Sequence, residues 1–100
     1  MSKPFYNGFS NHCLRFYARN PEADLQRLAE VDRENWLACE RVLNALSASD
    51  REILLDLYSS GCEFAGYVQH VGASLGVEPA RIWNLLQRTS RAIARDRGLI

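Results

Sequence analysis

No CxxC pair occurs in this chain, and its three cysteines, Cys13, Cys39 and Cys62, are odd in number and widely spaced. Neither a disulfide framework nor a zinc clip fits that pattern, so a reducing cytoplasm is the expected setting. No apolar run approaches the ~18 residues a membrane span needs. The opening "MSKPFYNGF" also lacks the apolar core of a signal peptide, so a soluble intracellular protein with no membrane partner is expected. Proline occurs three times, and nowhere do apolar and polar residues alternate with period two for long enough to suggest a sheet. Charge of one sign is not in surplus either: twelve Lys and Arg balance twelve Asp and Glu, so bulk charge announces neither nucleic acid nor membrane. Catalytic groupings are missing too. His12 and His70 lie far apart, neither stands beside a Ser-Gly or Cys-Gly elbow, and no paired carboxylates are recognisable. "GASLG" lacks the lysine that follows a phosphate loop, and the zinc-ligand spacings are absent around His12, Cys13, Cys62 and His70. The expectation is a protein that is not an enzyme and carries no cofactor and no metal.

What is present is helical periodicity and an uneven distribution of charge. Residues 1–19 hold Lys3, Arg15 and Arg19 and no acid, whereas residues 20–64 hold ten acids against four arginines. From Pro79 onward five arginines face one acid, Asp96, so basic charge gathers at the C-terminal end. With 47% hydrophobic residues and no internal repeat, linker or low-complexity tract, 100 residues suit one domain with a modest core.

The apolar spacing predicts an all-α fold, a compact bundle of about five helices. Ser10 is placed to cap a first helix carrying "NHCLRFYAR", with Cys13, Leu14 and Tyr17 on one face, ended by Asn20 and Pro21. Leu25, Leu28, Trp36, Cys39, Val42, Leu43 and Leu46 keep a helical spacing from Pro21 to Leu46. Charge in "AEVDRENW" interrupts this stripe, and Asp32 is a candidate internal cap. "SDRE", Ser49–Glu52, has the form of a capping box for a helix that turns Ile53, Leu54, Leu57 and Tyr58 inward and stops at Gly61. A fourth helix follows from about Phe64 to Leu75 with Tyr67, Val68, Val71 and Leu75 as its stripe. Gly76 ends it, and the turn "GVEP" delivers Pro79 as the first residue of a last helix reaching about Arg95.

Two helices joined by a short turn containing glycine are a helix-turn-helix candidate, whose second helix can enter a DNA major groove. Gly72 stands where the first helix must be approached closely, Gly76 permits the turn, and Val77 fills the angle between the helices. Ile82, Leu85, Leu86 and Ile93 form the inward face of the last helix. Arg81, Asn84, Arg88, Arg91 and Arg95 fall on one outward stripe. Arg81 and Asn84 can read guanine or adenine edges, and Ala80 can meet a thymine methyl. Farther along, Arg88, Arg91 and Arg95 are placed for phosphates, with Gln87 assisting. Trp83, beside the apolar stripe, either stacks on sugar or base or fills a neighbour's pocket, and packing is the favoured expectation.

"LSASDREILLDLYSSG" followed by "VQHVGASLGVEPARIWNLLQRTSRAIAR" resembles region 4 of bacterial sigma-70 factors and the small sigma-like regulators of phages and mobile elements. The resemblance covers about the C-terminal half. Leu46, Arg51, Glu52, Ile53 and Leu57 match the family's opening helix. Val71-Gly72, Leu75-Gly76-Val77 and Arg81-Ile82 match its later signature. Residues 1–46 look like the N-terminal part of such small phage-associated proteins, for packing or dimerisation, and residues 47–98 carry the region-4-like unit. Pro79, Ala80 and Trp83 depart from the polar or charged residues the family usually places there, and Asn84 stands where it often has Gln. The resemblance implies a transcriptional regulator bound to double-stranded DNA, with RNA polymerase as a further candidate partner and a homodimer as a candidate assembly. The domain with which a complete sigma factor grips core polymerase is not expected in a hundred residues. The rival expectation is a protein-interaction module that keeps the scaffold without reading bases. It draws on the acidic middle of the chain and on five aromatics in the first 17 residues, which either cover the core or form a surface for a partner.

Overall fold

In the computed structural model, which describes residues 4–61 and 63–100, five helices follow one another: α1 (Asn7–Arg19), α2 (Glu30–Asn44), α3 (Ala48–Ser60), α4 (Phe64–Leu75) and α5 (Pro79–Asp96). The described residues contain no strand, so the all-α expectation holds. Cys62 lies outside the described residues.

α1 buries Ser10, Cys13, Leu14 and Tyr17, an i, i+3, i+4, i+7 stripe that faces α2, α3 and α5 at once. Its position under three helices explains why Ser10 is no cap. Ser10 is fully buried within the helix, and its hydroxyl donates to the Ser90 carbonyl of α5 at 2.8 Å. The chain leaves α1 at Asn20, and Pro21 cannot continue the helix.

Residues 21–29 are turns and not the start of a helix, despite the spacing of Leu25 and Leu28. Side chains replace the helical backbone bonds here. The Asp24 carboxylate accepts from the Gln26 amide, and the Arg33 guanidinium donates to the carbonyls of Leu25 and Leu28 at 2.8 and 3.2 Å. Trp36 Nε1 donates to the Asn20 carbonyl, tying the same stretch to α2. α2 begins at Glu30 with no side-chain cap, so Asp32 is a first-turn acid favoured by the helix dipole and not an internal cap. The helix ends at Asn44, two residues short of Leu46, where the Leu46 amide closes a turn onto Leu43.

Ser47, not Ser49, caps α3: its side chain accepts from the Asp50 amide, and Ser49 lies inside the helix. α3 turns Ile53, Leu54, Leu57 and Tyr58 inward and ends on Gly61 in the left-handed region, φ 75°. α4 ends in the same way on Gly76, φ 66°, and the Gly72 carbonyl accepts from both Gly76 and Val77 amides. The turn folds back so closely that a Cβ on Gly72 would lie 2.8 Å from the Val77 carbonyl oxygen. Leu75, expected inward, is 58% exposed on the last residue of α4. α5 starts on Pro79 and packs against α1, α2 and α4. One apolar core draws on all five helices, with Leu14, Leu43, Leu54, Leu57, Val68, Ile82 and Ile93 fully enclosed.

The five early aromatics divide. Tyr17 is in the core and packs on Trp36 at a ring separation of 5.0 Å, Phe9 lies against the core, and Phe5 is exposed. The remaining large exposed apolar side chains, Val31, Leu75, Trp83, Leu99 and Ile100, are scattered over both halves and do not gather on the N-terminal one.

Candidate nucleic-acid interface

α5 is the longest helix, and the reason it forms where it does is local. Pro79 pre-sets the first helical φ, and Glu78 precedes it in extended conformation. At the far end Gly98, φ 78°, lets the amides of Gly98 and Leu99 bond back to Arg95 and Ala94. Between these stops every inward position is small or apolar apart from Thr89 and Ser90.

The outward positions follow from the helical period. At ~100° per residue, Trp83, Gln87, Ala80, Arg91, Asn84, Arg95, Arg88 and Arg81 succeed one another around an exposed arc of roughly 160°. All eight are exposed. Trp83, Gln87 and Ala80 lie on one side of this arc, Arg95, Arg88 and Arg81 lie on the other, and Arg91 and Asn84 lie between them. From Arg81 to Arg95 the stripe runs about 21 Å along the axis at ~1.5 Å per residue.

Arg81, Asn84, Ala80, Gln87 and Arg88 come together around one shallow depression of about 490 Å³, which Glu78 closes at the N-terminal end. Arg91 and Arg95 lie farther along the same face, outside that depression. Among the described residues, no carboxylate forms an ion pair with Arg81, Arg88, Arg91 or Arg95. Asp96, the only acid of α5, is engaged elsewhere. Arg41 of α2 grips it with two hydrogen bonds of 2.7 and 3.1 Å, and this pairing holds the Asp96 carboxyl below its ordinary pKa. The arginine face is thus left cationic.

Two features of the face lay beyond the sequence reading. Trp83, for which packing is the favoured expectation, is 37% exposed, whereas its neighbours Ile82, Leu85 and Leu86 are buried beneath the helix. Glu78 brings a negative charge to the edge of the depression, where a helix N-terminus favours it.

The remaining titratable groups of note are buried in the core. Burial pushes the Cys13 thiol up to about 11 and raises Cys39, Tyr17 and Tyr58 as well. Tyr17 donates to the Glu40 carboxylate and Tyr58 to Asn11 Oδ1, which ties α1 to α2 and α3. Comparison with protein-family models, with curated proteins and with solved structures gives no match to this chain.

Proposed function

We propose that this chain is a DNA-binding transcriptional regulator in which α4 and α5 act as a helix-turn-helix and α5 lies in the major groove of double-stranded DNA. The observation that carries the reading is the outward face of α5, where four arginines without a described acidic partner line one side of an 18-residue helix. A three-residue connection, Gly76 to Glu78, joins it to α4, as a reading helix requires. The resemblance to sigma region 4 agrees in placing the same helix on DNA. Arg81, Asn84 and Ala80, near the N-terminal end, are assigned to base edges, and Arg88, Arg91 and Arg95 to phosphates. Gln87, on the neutral side of the arc, assists.

A solvated arginine stripe would look the same in an unliganded helix, and salt dependence tells the two apart. Phosphate contacts release counterions, at a log-log slope of about −0.9 per contact on duplex DNA. Three contacts therefore predict a slope of roughly −2.7. Fluorescence anisotropy of a labelled duplex, titrated with the native protein and with an Arg88→Ala, Arg91→Ala, Arg95→Ala variant, should show that slope in the first and its near loss in the second. Absence of binding at low ionic strength, or an unchanged slope in the variant, refutes the assignment.

A further inference from the structure

The arginines occupy only part of the exposed arc of α5, and the opposite rim has a different chemistry. Ala80, Trp83 and Gln87 stand at i, i+3 and i+7, so they share one side of the helix, and none of them is charged. Trp83 is the surprising member. Ile82, Leu85, Leu86 and Ile93 are all buried on the same helix, so the core is filled without the indole, yet a large apolar ring stands 37% exposed next to polar neighbours. Among the described residues its ring pairs with no other aromatic and its N–H meets no hydrogen-bond acceptor.

A major groove offers one partner for such a rim. Thymine is the base that displays a methyl group there, and the adenine paired with it offers an acceptor at N7 and a donor at N6, the pattern a glutamine amide matches with two bonds. We infer that the Ala80–Trp83–Gln87 rim recognises A·T pairs, Trp83 and Ala80 lying against the thymine 5-methyl and Gln87 bonding the adenine edge. This deepens the DNA-binding reading and rests on it. It adds to the labour of the helix: Arg88, Arg91 and Arg95 supply affinity that is blind to sequence, and the neutral side adds a choice of A·T pairs to the base edges assigned to Arg81 and Asn84.

Deoxyuridine tests it directly, because it pairs like thymidine and lacks only the methyl. The probes are a 20-base-pair duplex of alternating dA and dT and the same duplex with every dT replaced by dU. Anisotropy titrations at one low ionic strength compare them for native protein and for Trp83→Ala. The native protein should bind the methylated duplex about fourfold more tightly for each methyl it covers. The variant should lose most of that preference, keeping only what Ala80 contributes, while keeping the native salt slope. Equal binding of both duplexes by native protein, with a normal salt slope, overturns the inference and leaves the DNA reading standing. If the variant keeps the preference, Trp83 is not the methyl contact and the inference falls as well. No binding of either duplex at low salt overturns both readings together. The native comparison decides the matter even if the variant folds poorly.

Discussion

Gly66 and Gly72 lie six residues apart on α4, and alanine at the two positions should move stability in opposite directions. An interior helical glycine costs up to ~1 kcal/mol relative to alanine, so helix propensity alone favours both replacements. At Gly66 nothing else changes: an added Cβ meets nothing within 4 Å. At Gly72 the Cβ would sit 2.8 Å from the Val77 carbonyl oxygen, and ordinary contact begins near 3.4 Å. The obstacle is backbone and cannot rotate away. Val77 is held where it is because its own amide donates to the Gly72 carbonyl at 3.0 Å, so the turn into α5 would have to open by more than half an ångström. Overpacking of this kind costs about 1–3 kcal/mol, which outweighs the propensity gain. Gly66→Ala should therefore raise the urea midpoint by an amount worth up to ~1 kcal/mol, and Gly72→Ala should lower it by about 1 kcal/mol, with similar m-values. In a domain of this size each kcal/mol is worth roughly 4–8 °C in Tm. A Gly72→Ala protein as stable as Gly66→Ala would refute the close approach that defines the α4–α5 turn.

Two further outcomes follow from buried and paired groups. The Arg41–Asp96 pair is partly exposed, with side-chain exposures of 54% and 23%, so Asp96→Asn should cost at most about 1 kcal/mol at neutral pH. Because Asp96 has a lowered pKa in the fold, its contribution is full above the ordinary carboxylate value of 3.8 and fades as pH falls through the depressed one. The Tm difference between native protein and Asp96→Asn should shrink below about pH 4 and vanish in stronger acid; a difference that grows there contradicts the pairing. Cys13 and Cys39 are almost wholly enclosed, and burial raises both thiols above their ordinary pKa. In a Cys62→Ser background neither should react with a disulfide reagent at pH 8 until denaturant is added, and rapid labelling of the folded protein would show that the core opens.

The features of the fold that could be read from sequence are those where the backbone itself makes the demand. Gly61 and Gly76 stop their helices because φ is positive there, and Pro79 starts the last one because its ring suits a first turn. The arginine stripe was readable for a related reason: once α5 is a single uninterrupted helix, its period alone fixes which residues face outward. Where the reading erred, two residues competed for one role. "LSASDRE" offers two serines, and the capping-box pattern favours Ser49, but the turn that brings the Leu46 amide onto Leu43 leaves Ser47 as the last extended residue before the helix. Leu25 and Leu28 have helical spacing, yet Arg33 takes their carbonyls from the far side, a contact invisible in local pattern. Leu75 and Trp83 are each left partly exposed, at 58% and 37%, and which apolar residue a small core leaves out depends on the tertiary arrangement.

The orientation of the arginine face is set from its back. Apolar packing alone tolerates small rotations of a helix, whereas hydrogen bonds have direction. Four polar ties reach the concealed side and the end of α5 from the first two helices. Ser10 donates to the Ser90 carbonyl and Ser90 donates to Asn7 Oδ1, both at 2.8 Å. Arg97 donates to Asn35 at 2.8 Å, and Arg41 holds Asp96. Turning α5 about its axis by one residue would break all of these and swing the stripe by ~100°. The N-terminal helices, which contribute nothing to the arginine stripe, thus fix its direction. Ser90→Ala removes one tie without touching an outward side chain and should cost about 1 kcal/mol in urea unfolding. On the proposed DNA-binding function, the variant should keep the native salt slope, because the arginines remain, but should discriminate less between a duplex selected by the native protein and a random one. If discrimination survives intact while stability falls, the ties serve the core alone and the helix is steered by its apolar face.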